Sequence, residues 1–275
     1  MIALLLALQA ATPAQQQAEL VAPGIINTDG DEYGPTLSPD GSMLLFTRRT
    51  DRRGNENIMI AVRAGSQWAT PAVASFSGDG HDKEPYFSPD GRRVFFASRR
   101  PYDGKDLTRG GEGAFDLFVV ERTRDGWGQP RPVTGANSPT YDNYPAVAAN
   151  GDLYFSSHRA SGRNDLFVSR FFQGEYQAAE PVTALNTPTT DADPYIAPDQ
   201  SYIIFSADKP GGAGSGDLYV SRRRNGEWSE PVSLGPLVNT SDYEYTPFVH
   251  GEWLYFSRGW GEIWRIRLTA LEALR

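Results

Sequence analysis

Residues Glu84 to Arg100 read EPYFSPDGRRVFFASRR: an extended segment, a four-residue turn and a second extended segment ending in two arginines. In Ser88-Pro89-Asp90-Gly91 the proline presets φ for the first corner of a turn, the aspartate suits the second, and the glycine takes the positive φ of a bulged hairpin exit. Beyond the turn, Val94, Phe95 and Phe96 are β-branched or aromatic, the residue types of a strand buried on both faces. The stretch is therefore one tight hairpin of inner strands.

The same pattern returns four times outward from it. The chain reads EYGPTLSPDGSMLLFTRR around Pro35, DNYPAVAANGDLYFSSHR around Pro145, DADPYIAPDQSYIIFSADK around Pro194 and EYTPFVHGEWLYFSR around Pro247. The five prolines fall at near-even intervals, the longest from Pro85 to Pro145, where the loop from Pro101 to Ala114 is inserted. Long loops on a rigid scaffold often carry function. After each of the first four hairpins come a third strand (residues 57–62, 116–121, 165–170 and 217–222), a polar turn and an outer strand. The outer strands bear Trp68 and Pro71, Trp127 and Pro130, Tyr176 and Pro181, or Trp228 and Pro231. Proline lacks a ladder donor and belongs at a sheet edge.

The two ends complete each other. Glu19 to Pro35, ELVAPGIINTDGDEYGP, repeats Glu230 to Pro247, EPVSLGPLVNTSDYEYTP, so it brings an outer strand with no strands before it. Residues 261–268, GEIWRIRL, are a third strand with no fourth after it. The predicted fold is all-β: a five-bladed β-propeller of four-stranded antiparallel blades over residues 18–268, closed by the N-terminal strand joining the last blade. A short tail, 269–275, follows.

The SPDG turn after D/E-x-x-P, the DLYVSRR third strand and the EW-x-x-P outer strand resemble the WD40-like propeller repeats of the TolB type. The resemblance covers about residues 19–268 and takes in the propeller only, without the α/β domain that precedes the propeller of TolB. It implies a non-catalytic scaffold of the bacterial cell envelope that binds a protein or peptide, or a glycan.

Composition narrows the function further. The chain has 275 residues, 28 glycines, 20 prolines and no cysteine, with a formal charge of −8. Glycine and proline in these numbers suit many short strands and turns. The acidic balance excludes the basic footprint that nucleic acid or an anionic membrane needs, and the absence of cysteine excludes disulfides and thiolate chemistry. MIALLLALQA at residues 1–10, then small residues and Gln15 to Gln17, reads as a secretory signal peptide or a disordered leader ending near residue 17, too short to span a bilayer. A monomer, periplasmic or secreted and without cofactor, is expected.

The chemistry centres on acids. Three residues before each strand-opening proline lie Glu32, Asp82, Asp142, Asp191 and Glu244, with Glu84 and Asp193 adding charge nearby. If these loops lead into the innermost strands, the five carboxylates ring the mouth of a central channel. Two readings follow: each acid is neutralised within its own blade by Arg48, Arg99, Arg159, Lys209 or Arg258, or the ring holds a cation such as Ca²⁺. Tyr102 and the neighbouring Tyr33, Tyr86, Tyr141, Tyr144, Tyr243 and Tyr245 are expected as interface anchors or sugar platforms near this rim.

Other chemistries find no pattern. The loops GGEG at 110–113 and GGAGSG at 211–216 lack the Lys-Ser/Thr and helix of a phosphate loop, and Asp51 to Asn57 lacks the spacing of a calcium loop. There is no HExxH or His-x-His pair, so no zinc site, and no G-x-S-x-G elbow. A carboxylate-dependent glycoside hydrolase stays open as the alternative, with Asp82 and either Asp142 or Asp191 as the pair.

Overall fold

The computed structural model describes residues 17–49, 55–78, 81–102 and 114–274. The leader, the glycine-rich part of the second-blade loop and most of the 51–57 segment lie outside the described residues.

Five antiparallel sheets surround one axis. Their inner strands are Asp31–Leu37, Asp82–Phe87, Asp142–Val147, Asp191–Ile196 and Glu244–His250. The second strands are Met43–Arg49, Arg93–Ser98, Leu153–Ser157, Tyr202–Ala207 and Trp253–Arg258, and the third are Glu56–Ala64, Asp116–Thr123, Asp165–Ser169, Asp217–Arg224 and Glu262–Arg267. Each inner strand touches the inner strands of both neighbouring blades, first against fifth included, so the ring is closed. The outer strand of the first four blades is broken in two. In the first blade Gln67–Trp68 continues the hairpin from the third strand, and Ala72–Val73 rejoins it beyond Pro71, the residue that cannot donate.

The turns form for the reasons their residues suggest. Gly91 N–H donates to Ser88 O at 2.8 Å with φ +68°, and Asp90 Oδ1 accepts from Ser88 Oγ (2.6 Å) and Arg92 N–H (3.0 Å). Every second strand carries a fully buried phenylalanine at the same position, Phe46, Phe96, Phe155, Phe205 and Phe256, and the second blade adds Phe95.

Closure occurs in the fifth blade. Glu19–Leu20 runs antiparallel to Glu262–Arg267, with Glu19 opposite Arg265 and Leu20 opposite Trp264, and Val21 N–H donates to Ile263 O at 3.0 Å. Val21 and Ile26 are buried in the core. Asn27 fastens the join: its Nδ2 donates to Val21 O (2.8 Å) and Ile263 O (2.9 Å), and its Oδ1 accepts from Ile263 N–H (2.7 Å). Asn137, Asn186 and Asn239 clamp Leu117, Leu166 and Leu218 in the same way. After the last strand, two 3₁₀ turns bring Leu271 into the core.

Candidate functional site

The five repeated acids lie inside the blades. Glu32, Asp82, Asp142, Asp191 and Glu244 are all 0 % exposed, and none of them lines the axial cavity. Each accepts the backbone N–H four residues earlier, from Thr28, Gly78, Ser138, Thr187 or Thr240, which shapes the loop that enters the blade. Asn27, Asn137, Asn186 and Asn239 sit one residue further back, so an Asn-Thr/Ser-x-x-x-Asp/Glu sequence describes one loop device. That signal was present in the sequence and is structural.

Four of these acids carry an arginine. Arg48 reaches Glu32 (2.8 Å), Arg100 reaches Asp82 (2.7 Å), Arg159 reaches Asp142 (2.7 Å) and Arg258 reaches Glu244 (2.9 Å). Each guanidinium also donates to a carbonyl of the incoming loop, Ile26, Phe76, Ala136 or Val238. The expected Arg99–Asp82 pair is not made. Asp82 stands opposite Ser98, side chains alternate faces along a strand, and the same-face neighbour is therefore Arg100. Arg99 lies on the other face, its guanidinium 4.3 Å from the centre of the Phe115 ring. Lys209 is also no direct partner of Asp191: its ammonium lies over Phe205 and Tyr219, and Asp191 Oδ1 has no hydrogen-bond partner. Burial raises the Asp191 carboxyl above its ordinary value, against the opposing pull of Thr187 and Lys209.

The residues that reach the axis are those immediately before the prolines: Gly34, Glu84, Tyr144, Asp193 and Thr246. Every inner strand shifts register at this point. All five residues have left-handed backbone, with φ of +64°, +56°, +52°, +55° and +46°. For the β-branched Thr246 this is a genuine outlier, and such strain persists only where the surroundings over-determine it.

Hydrogen bonds between blades supply that determination. Second-strand hydroxyls accept three of the five N–H groups: Thr47 takes Glu84 (2.8 Å), Ser156 takes Asp193 (3.0 Å) and Ser257 takes Gly34 (3.1 Å). In the second blade the corresponding residue is Ala97, and in the fourth Ser206 is turned away, donating to Glu244 O. There carboxylates substitute. Glu84 Oε2 accepts from Tyr144 N–H at 2.9 Å, and Asp193 Oδ2 accepts from Thr246 N–H at 3.4 Å.

Each carboxylate thus has one oxygen committed to a seam between blades. Lys83 Nζ lies 2.8 Å from the second oxygen of Glu84. The second oxygen of Asp193 has no partner, although Asp193 is only 1 % exposed. Burial, and then the Glu84 charge, push the Asp193 carboxyl well above its ordinary range. Burial raises Glu84 too, with Lys83 opposing, and the hydroxyl of Tyr144 is raised by burial, then by Asp193 and Glu84. The cavity they line has a free volume of about 30 Å³, room for a few water-sized groups, with the five prolines on its walls.

The expected aromatics divide. Tyr243 stacks on Tyr245 (4.8 Å), Tyr245 meets Tyr33 (5.9 Å), and Tyr33 donates to Glu56 at 2.6 Å, so this trio is packed together at the rim. Tyr141 lies between Phe115 and His158. Tyr102 meets Phe118 edge-on, and its hydroxyl is pushed up to about 12 by burial, then by Asp116. Tyr86 is not at the rim: it follows Pro85 down the channel, where it meets Phe248 and Tyr195 edge-on or tilted and donates to Ile196 O.

Trp260, overlooked in the repeat pattern because it falls between strands, is the most exposed large apolar side chain among the described residues, at 90 %. It tips the turn between Trp253–Arg258 and Glu262–Arg267, at the rim where the inner strands begin. Gly259 (φ +64°) and Gly261 (φ +134°) flank it. A Cβ on Gly261 would lie 2.4 Å from Asp31 Cα, and Gly261 O accepts from Glu32 N–H at 3.0 Å, so the turn is seated on the first blade.

No protein-family model matches this chain, and no curated protein does. Solved structures do. A thermostable family-43 glycoside hydrolase is similar at 10 % identity and TM-score 0.59, over 88 % of this chain and 90 % of that one. A TolB candidate from Agrobacterium tumefaciens is similar at 16 % identity and TM-score 0.54, over 84 % of this chain and 71 % of its own. A gluconolactonase from Xanthomonas campestris is similar at 12 % identity and TM-score 0.51, over 86 % of each chain. Three different roles on one architecture place this chain among the β-propellers by fold, and by fold alone.

Proposed function

We propose that this chain is a non-catalytic binding module of the bacterial cell envelope, periplasmic or secreted, which receives a protein or peptide partner on the rim around its axial cavity. The observation that carries the reading is Trp260. An indole held almost wholly in water by a turn fixed to two blades is arranged for contact, and tryptophan is among the residues that dominate interface energies. The likeness to the TolB candidate and the signal-like leader support the compartment.

The glycosidase reading has less support. Asp82 and Asp142 are buried and tied to arginines, and the cavity shared by Glu84 and Asp193, among the described residues, is far smaller than a sugar ring requires. Envelope extract passed over the wild type, Trp260→Ala and Val232→Ala tests both. Trp260→Ala should lose the captured partner, with about 2 kcal/mol or more of binding energy. Val232→Ala, at an exposed outer-edge position, should keep it. Equal capture by all three refutes the reading, and hydrolysis of aryl glycosides that disappears in a folded Asp82→Asn variant would replace it with the enzyme.

A further inference from the structure

The mouth of the channel is a charge arrangement left incomplete. Two carboxylates, Glu84 and Asp193, stand there with one ammonium, Lys83. Asp193, which lines a cavity of about 30 Å³, keeps a buried oxygen without a donor. A buried, unpaired acceptor is costly in a folded protein, and each case calls for an explanation. The fold does not need that oxygen, because Oδ2 already holds the Thr246 N–H.

We propose that this cavity is a subsite for a primary ammonium group, held by Asp193 Oδ1 and the Glu84 carboxylate. Three arguments select that chemistry. One further positive charge balances the two carboxylates and Lys83. The space accepts a head the size of a water molecule, as –NH₃⁺ is, but not a quaternary ammonium. The walls are otherwise five prolines, Tyr86 and Tyr144 with Gly34 and Thr246, a mostly apolar lining that suits an alkyl stem. A hard dication wants six to eight oxygens, and among the described residues no group of three acidic or histidine side chains is placed to hold one.

The inference rests on the binding reading for the source of the ammonium, which is a lysine side chain or an amino terminus of the partner. The probe is n-butylammonium chloride, titrated at constant ionic strength into the full chain while the amide signals of Tyr144 and Thr246 are followed by NMR. These N–H groups bond to the two carboxylates and report on them directly. Saturable shifts of both are expected, none with tetramethylammonium, and roughly tenfold weaker binding or more in Asp193→Asn and in Glu84→Gln, as for loss of a charged hydrogen bond. Nα-acetyl-lysine amide and glycinamide, compared in the same assay, assign the source to side chain or terminus. Unmoved amides, an equal response to tetramethylammonium, or saturation by CaCl₂ in preference to the amine each overturn the proposal. Trp260→Ala should leave the n-butylammonium response intact. Partner capture without any amine response therefore sinks this inference alone, and an amine response without partner capture sinks only the binding reading.

Discussion

Replacing Asn27 with alanine tests the closure of the ring at its narrowest point. Asn27 makes three buried side-chain hydrogen bonds, two of them to Ile263, 236 residues away. At about 0.5 to 1.5 kcal/mol each, their loss amounts to roughly 1.5 to 4.5 kcal/mol, with the upper part favoured because Ile263 N–H is left buried and unpaired. For a domain of this size that corresponds to a fall of about 3 to 9 °C in melting temperature. Asn186→Ala breaks equivalent bonds to Leu166, but between segments that the chain itself keeps close. Both variants should melt lower. Only Asn27→Ala should also speed amide exchange at Ile263 and Val21 and open residues 17–29 to limited proteolysis, because only there do the bonds join segments 236 residues apart rather than 20. A melting temperature and exchange pattern like the wild type's would refute the claim that this segment seals the fifth blade.

Two further outcomes follow from the buried charges. Arg100→Ala should cost about 2 to 4 kcal/mol in chemical denaturation, since it strands the buried Asp82 while the arginine itself is partly exposed; Arg99→Ala should cost clearly less, and equal losses would contradict the register. Asp193 has its folded-state pKa raised, so the native state binds its proton more readily than the unfolded chain, and stability is lost as pH rises above the ordinary carboxylate range through the raised value. Asp193→Asn should accordingly melt higher than the wild type at pH 7, with the gap closing near pH 4; a constant gap would remove the buried charge as its cause.

The architecture was legible because every blade repeats the same turn chemistry, and because the segment from Glu19 to Pro35 copies the one from Glu230 to Pro247. The acids three residues before each proline were equally visible, but repetition there reports a loop device common to all blades. The groups at the axis occupy the one position where the repeat fails: Gly34, Glu84, Tyr144, Asp193 and Thr246 share a backbone conformation and no side-chain type. A positive φ on Thr246 comes from inter-blade bonds, not local preference, so no local pattern announces it. Arg99 and Arg100 are adjacent and identical in type; only the register, with Asp82 opposite Ser98, tells which of them faces the acid.

Glu84 and Asp193 each hold a neighbouring blade with one oxygen, and both residues line the axial cavity. Whatever occupies the mouth therefore pulls on the same two groups that stitch the second blade to the third and the fourth to the fifth. The remaining three seams, stitched by hydroxyls of Thr47, Ser156 and Ser257, have no such linkage. Occupancy at the centre would thus be felt unevenly around the circumference, in two joints out of five.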